Sequence, residues 1–348
     1  MIYVIEHLPA IRAAGTYDIR AVYSRSKKSA EALITDGSVE IYSDDSGAGK
    51  SLEDLLARKD IQAVDVVLPI SQQPEIIKKA LKAGKHVVSH PSKGIRLIGE
   101  ISEKPVGAKI AQAEELIAFY KSLPSPRPLW SVAEQFRYNV VFDYIASLVP
   151  RIGKFAYFVQ QTAGDVQPTN KYAGTSWRKN PDYQGGFLLD GGVHFIAGLR
   201  KILPSKIVKV SAFTRLNRDY LPPADTVHAT FQLADGATGI YGNTSAASRF
   251  AYDVELMGQE GYILASIAYF GESKVELVLK DGTKESKEFK DANKNAIAEE
   301  FRAFSEAVSD SREDPSGSPE EALADLAIVE YMLTSGDKGG EPIQVNYA

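Results

Sequence analysis

Two residues four apart, Asp190 and His194, stand out in the stretch 185–203 (GGFLLDGGVHFIAGLRKIL). If a helix begins near Asp190, this spacing puts both side chains on one side of its first turn. A carboxylate beside an imidazole suits proton transfer, because the carboxylate orients the ring and tunes its pKa. The surrounding glycines allow backbone to approach a ligand closely. The same pattern also fits an N-capping aspartate followed by a packed histidine. A metal site would need more than the two ligands clustered here. Lys104, in the stretch 102–106 (SEKPV), is the third candidate. A lysine on a loop after a parallel strand sits at the strand's carboxyl end, where ligands bind in open α/β sheets. There it can hydrogen-bond a carbonyl oxygen and pass a proton, once burial or a nearby positive charge lowers its reference pKa of about 10.4. A solvated surface lysine before a proline is the alternative.

Nucleotide recognition is written at the end of a strand expected over 19–24 (IRAVYS). Dinucleotide-binding sheets that take NAD place an acidic residue there for the ribose 2′-hydroxyl. This chain has Ser24, Arg25 and Ser26, then Lys27 and Lys28. Hydroxyls and cations suit a 2′-phosphate, which favours NADP(H). A helix-capping serine beside surface cations would read the same way. The stretch 46–51 (SGAGKS) imitates the end of a phosphate-binding loop. The full pattern needs a glycine where Asp44 stands, and the Asp44 and Asp45 carboxylates would repel a phosphate. A loop in which Ser51 caps the next helix explains it better.

These residues need a scaffold, and the chain alternates strand and helix up to residue 130. Strands are expected at 19–24, 40–42, 63–68 and 86–89, with helices at 27–35, 52–59, 74–83 and 108–122. Pro74 opens one of these helices and Gly84 closes it, the usual punctuation. That order implies a parallel sheet with right-handed crossovers. The PSPRP run at 124–128 is a stiff linker, so a first domain is set at 1–125 and a second at 126–348. After a helix near 139–148, longer strands are expected at 155–162, 207–214, 227–233, 238–244, 252–257, 262–267 and 274–279. Asp235-Gly236 and Asp281-Gly282 mark hairpin turns among them. Helices at 296–309 and 319–334 close the chain. The expected fold class is α/β. A doubly wound, Rossmann-like parallel-sheet domain, incomplete at its start, precedes an α+β domain with a large open, mostly antiparallel sheet. One face of that sheet needs a cover, and a homodimer packed face to face supplies it.

Composition narrows the function classes. With 44% hydrophobic and 24% charged residues, the 348-residue chain can bury a large core under a solvated surface. A net charge of -5 gives no reason to expect nucleic acid. The lack of cysteine excludes disulfides, thiol nucleophiles and thiolate metal sites, and a cytoplasmic location is permitted. Neither a secretory leader nor a membrane span is expected.

Taken together, the motifs resemble the glucose–fructose oxidoreductase / inositol dehydrogenase / MocA family, in its NADP(H)-using eukaryotic branch. They run Ala80-Leu81, then 83–87 (AGKHV), then Glu103, Lys104 and Pro105, then 135–138 (QFRY), then 185–194. Asn170, Lys171, Tyr172, Thr175, Trp177 and Arg178 add to the match, which covers nearly the whole chain. The resemblance implies an oxidoreductase that moves hydride between NADP(H) and a carbonyl or alcohol carbon of a sugar, polyol or small aldehyde. It implies that Lys104 and His194 handle the proton, while Asp190 orients them or binds substrate hydroxyls. Ser24, Arg25, Ser26, Leu68, Pro69, Gln73, Glu103, Lys104 and Gln135 would hold the cofactor. Arg137, Tyr138, Lys171, Tyr172, Trp177 and Arg178 would meet a small-molecule substrate, with loop packing and surface charge as the alternative for each. No metal, nucleic-acid or membrane partner is implied.

The chain departs from the family twice. A member should open with a strand and G-x-G-x-x-G, whose amides and helix N-terminus hold the pyrophosphate. Here the chain opens MIYVIEHLPAIRAAG, and His7-Leu8-Pro9 matches the interior of the family's first helix. The first strand and glycine turn are therefore expected to be missing, unless residues 2–5 pair as a substitute. The stretch 90–102 (HPSKGIRLIGEIS) also intervenes between AGKHV and EKP. It either loops out and returns Lys104 to place or displaces it. These departures keep open a cofactor-impaired or non-catalytic dimeric binding protein.

Overall fold

The computed structural model describes residues 8–15, 17–33, 39–87, 95–99, 104–170 and 173–347. Glu103, Lys171, Tyr172 and the stretch 2–5, named above, lie outside the described residues. The chain divides into two compact units, Met1–Gln135 with Ile297–Ala322, and Phe136–Ala296 with Leu323–Ala348.

The first unit contains α1 (Leu8–Ala14), β1 (Tyr17–Ser24), α2 (Lys27–Glu31), β2 (Glu40–Ser43) and α3 (Leu52–Leu56). It continues through β3 (Ala63–Val64), α4 (Gln73–Lys82), β4 (His86–Val87), β5 (Ile95–Gly99) and α5 (Ile110–Ser122). Among the described residues its five strands are parallel, in the order β2-β1-β5-β3-β4. The run Ala63, Val64, Asp65, Val66 is buried throughout, as a strand covered on both faces must be. Ser51 caps α3 in a reciprocal box: its hydroxyl accepts the Asp54 amide at 3.1 Å and its amide donates to the Asp54 carboxylate at 2.9 Å. That cap accounts for the end of the SGAGKS stretch.

The middle of this sheet is built from the inserted stretch. β5 lies between β1 and β3, with Ile95 opposite Tyr17 and Leu97 opposite Ala63. The insertion therefore does not loop out; it supplies a central strand. The slot that the resemblance reserves for the strand before α1 is taken, because β1 and β3 now have a strand on each side. Pairing on both edges of β5 satisfies backbone groups that a gap would leave unpaired. α1 packs Leu8, Ala10 and Ile11 with Ala63, Ala133 and Phe301. The AGKHV stretch is structural. The buried Lys85 ammonium donates to the carbonyls of Arg58 and Ile61 at 2.7 and 2.9 Å, and His86 Nδ1 accepts the Leu129 amide at 3.0 Å. Burial pulls both pKa values down.

The second unit begins with α6 (Val140–Leu148), capped by Asn139, then β6 (Phe155–Asp165), α7 (Ser176–Lys179), α8 (Phe187–Asp190) and α9 (Gly192–Ile202). Strands follow: β7 (Ile207–Arg215), β8 (Thr226–Leu233), β9 (Thr238–Thr244), β10 (Ala246–Gly258), β11 (Gly261–Ser266), β12 (Glu272–Leu279) and β13 (Lys284–Lys290). Two helices close the chain with a short β14 (Ile343–Gln344): α10 (Ala292–Ser309), most of which belongs to the first unit, and α11 (Pro319–Asp337), which starts in the first unit and runs on into the second. Among the described residues nine strands form one sheet in the order β13-β12-β11-β10-β6-β9-β8-β7-β14. Among the described residues its ladders are antiparallel except β6 with β9. One face is covered: a Cβ on Gly198 of α9 would strike Phe142 and reach Tyr252, and Ser335 of α11 accepts the Ala212 amide at 2.9 Å. The opposite face is open, with Tyr157, Ile240 and Leu264 exposed by 41%, 54% and 37%.

Candidate active site and family

Because all strands of the first sheet are parallel, their carboxyl ends share one edge, the edge at which such sheets bind ligands. At the end of β1, Ser24 is half-buried and Arg25 exposed. Ser26 is the N-cap of α2, its hydroxyl accepting the Ser29 amide at 3.2 Å. β2 ends beside it, since Ser24 and Ser43 are in register. The Tyr23 hydroxyl donates to Asp44 at 2.6 Å. The Lys27 amide and the Ser43 hydroxyl both donate to Asp45 Oδ1 at 2.6 Å. The Ser43 bond first, and the Lys27 amide second, hold the Asp45 carboxyl below its usual range. After β3, Leu68 and Pro69 are half-buried, and the buried Gln73 amide donates to the Leu68 carbonyl at 3.2 Å. Lys104 follows β5, half-buried and joined to buried Pro105 by a cis peptide. The lysine is thus reached from the central inserted strand rather than from β4. Gln135 is half-buried and is the last residue of the unit's first segment.

In the second unit, Asp190 ends α8 and α9 begins at Gly192, with Gly191 between them at helical angles (φ −92°, ψ −32°). Asp190 and His194 therefore sit one helical turn apart, although the helical backbone starts at Phe187. Asp190 is not a cap; Gly191 holds that position with no side-chain bond. The buried Asp190 carboxylate instead takes Arg178 Nε at 2.5 Å and Nη2 at 3.4 Å. Arg178 is itself buried and lies over the Trp177 ring at 3.9 Å. Tyr183 packs on Trp177 at 5.8 Å, and burial first, then Asp190, raises its hydroxyl pKa. The half-buried His194 ring stacks on Phe136 at 5.3 Å, within an aromatic group that includes Phe142, Phe195 and Tyr252.

The glycine pair before this segment serves the chain's own packing. Gly185 and Gly186 have φ of +72° and +50°, and a Cβ there would overlap Leu333 and the Pro222 carbonyl. Arg137 is also turned to internal use. It is buried and paired with Asp325, whose other oxygen takes Arg200 Nη1 at 2.7 Å. The Arg137 carbonyl accepts the Lys201 ammonium. Tyr138, next in the same 3-10 turn, and Trp177 are half-buried. The structure thus gathers Trp177, Arg178, Tyr183 and Asp190 in one cluster and ties Arg137 to Asp325. Tyr183 and Asp325 escaped the sequence reading. Tyr183 lies between two motifs and matches neither, and Asp325 meets Arg137 across 188 positions, beyond any local pattern.

The family comparison decides what this scaffold belongs to. Residues 4–125 match the oxidoreductase family's NAD-binding Rossmann fold, and residues 150–345 match its C-terminal alpha/beta domain. The chain belongs to the Gfo/Idh/MocA oxidoreductase family. It is 38% identical over 342 residues to Dehydrogenase FPY6 of Fusarium mangiferae, covering 95% of this chain and 92% of that protein. An oxidoreductase structure from Thermotoga maritima, 28% identical, superposes with a TM-score of 0.81 over 99% of this chain and 95% of its own. Levoglucosan dehydrogenase in complex with NADH, 18% identical, shares the fold at a TM-score of 0.77 over 97% of this chain and 95% of its own. As a Gfo/Idh/MocA protein the chain has a nucleotide-binding Rossmann unit and a C-terminal α/β unit built on the large open sheet. Among the described residues no helix is long and apolar enough to cross a membrane.

Proposed function

We propose that this chain is an NADP(H)-dependent oxidoreductase acting on a carbonyl or alcohol carbon of a sugar, polyol or small aldehyde. The observation that carries the reading is the fixed pair in the second unit: an Asp190 carboxylate gripped by Arg178 and a His194 ring stacked on Phe136, one helical turn apart. Residues locked by packing and ion pairing are preorganised for proton transfer. The donor set at the end of β1, two hydroxyls with Arg25, Lys27 and Lys28, fits a 2′-phosphate in charge and hydrogen-bonding capacity. The bound dinucleotide would supply or accept the hydride. Leu68, Pro69, Gln73, Glu103 and Gln135 are assigned to its site, with Lys104 at the same carboxyl edge. Lys104 and His194 hold or release the proton at the substrate oxygen, and Asp190 keeps its neighbours oriented. Tyr138, Lys171, Tyr172, Trp177 and Arg178 are assigned to the substrate side, Arg178 acting through Asp190. Arg137, engaged by Asp325, is assigned as support for that side.

A second reading, a cofactor-impaired dimeric binding protein, is favoured by one observation. β5 fills the slot of the strand that would lead through a glycine turn into α1. NADPH fluorescence separates the two. On titration with the purified chain, NADPH emission is expected to rise and shift to the blue, with NADH responding less. No change at saturating protein would favour the second reading.

A second copy of the chain is proposed as the cover for the open sheet face. Ile240→Glu places a charge among Tyr157, Ile240 and Leu264, and is expected to halve the mass seen by light scattering. An unchanged mass would place the subunit contact elsewhere.

A further inference from the structure

The acidic pair after β2 has no part in the proposed chemistry, yet it stands at the loop assigned to the cofactor's adenosine end. Adjacent strands in a sheet run about 4.8 Å apart. Ser24 and Ser43 are register partners on such strands, so the loop after β1 and the loop after β2 leave the sheet side by side. Asp45 reaches across that gap and accepts the amide of Lys27, the residue directly after Ser24, Arg25 and Ser26. A second donor, the Ser43 hydroxyl, fixes the same carboxylate oxygen. Asp44 beside it is tied to the Tyr23 hydroxyl.

We propose that Asp45 sets how strongly this chain prefers a 2′-phosphate over a free 2′-hydroxyl, holding the preference down by keeping an anion beside the phosphate's donors. The inference rests on the NADP(H) reading above. A phosphate brings nearly two negative charges and needs N–H and O–H donors. Here one such donor, the Lys27 amide, is already committed to a carboxylate, and a second negative charge meets that carboxylate at close range. Two nearby cations already have carboxylate neighbours: the Lys27 ammonium lies 3.8 Å from Glu31, and Lys50 pairs with Glu40 at 3.0 Å. Asp45 stays ionised at neutral pH, since its two donors lower its pKa. A free 2′-hydroxyl carries no charge and can share the carboxylate as an acceptor. Asp45 therefore penalises the phosphorylated nucleotide and spares the other.

The test uses two small nucleotides that lack the nicotinamide half, 2′,5′-ADP and 5′-AMP, titrated calorimetrically into the full chain. Asp45 is exposed, and asparagine keeps an oxygen for the Lys27 and Ser43 donors, so Asp45→Asn should melt at the wild-type temperature. The variant is expected to bind 2′,5′-ADP about tenfold more tightly while 5′-AMP binding stays unchanged. Asp281→Asn, which removes the same charge from the second unit, is expected to alter neither. Equal gains for both nucleotides, or no gain for 2′,5′-ADP, would overturn the role of Asp45. If 2′,5′-ADP binds neither wild type nor variant, the NADP(H) reading falls and this inference falls with it.

Discussion

Alanine in place of Lys104 is expected to slow turnover by roughly 10²–10⁴-fold, and alanine at His194 by a similar factor. When hydride reaches a carbonyl carbon, negative charge builds on the oxygen, and a positioned acid must supply a proton as it does so. Lys104 is half-buried, and in the proposed role its ammonium hydrogen-bonds that oxygen. His194 is packed by its stack on Phe136, which limits the ring's freedom. Losing either removes one proton-handling group while most of the residues assigned to the nucleotide stay in place, Lys104 itself being the one exception. NADPH affinity should accordingly change by only a few-fold while kcat falls. Lys104→Arg makes a sharper case: it keeps the charge and bulk, but a guanidinium does not release a proton near neutral pH. It is expected to bind NADPH as wild type does and to stay as slow as the alanine variant. Steady-state kinetics over a panel of aldoses, polyols and aldehydes would measure this. A Lys104→Arg enzyme with near-normal kcat would show that lysine supplies only charge.

Asp325→Ala is expected to cost about 3–5 kcal/mol of stability, the usual consequence of breaking a buried ion pair from one side. Asp325 is 2% exposed and Arg137 6%, and Arg200 shares the carboxylate. Removing it takes from the buried Arg137 and the half-buried Arg200 the carboxylate they share. Asp325→Asn keeps the volume and one hydrogen-bond acceptor, so it isolates the charge and should fall by a smaller margin. Urea unfolding followed by tryptophan emission and circular dichroism would give both values. Midpoints equal to wild type would mean that the two arginines find other partners at no cost. Asp190 and Arg178 form a comparable buried pair, but there a loss of stability would be mixed with a loss of activity. The Asp325 site gives the cleaner reading of what buried pairing contributes to this fold.

Much of the scaffold follows from short-range physics and could be read from the letters. The strand at 238–244 is found over those same residues, and α6, with its Asn139 cap, lies where its apolar period puts it. β13 (KESKEFK) was not expected. Its charges belong on a sheet edge, where they discourage pairing with another chain, and alternate charge without apolar partners looks like a loop. The larger surprise is β5. The letters IRLIG are strand-like, but family order marks them as an interruption, and only the unfilled slot between β1 and β3 explains why they pair. On the site, the spacing of Asp190 and His194 matched a helical turn, and the two do sit one turn apart on helical backbone. The Arg178 clamp on Asp190 was not foretold, because twelve positions and a loop separate the two. Arg137 shows the limit of motif reasoning: a charged residue in a ligand-facing pattern is spent on a partner far along the chain.

A double-mutant cycle on Lys104 and His194 bears most directly on the shared proton. Under the proposed shared role, the Lys104→Ala/His194→Ala enzyme should lose little more in kcat than either single variant, as groups that act as a unit do. Losses that multiply in full would mean that the amine and the imidazole serve separate steps, and the joint proton-handling role assigned to them would be wrong.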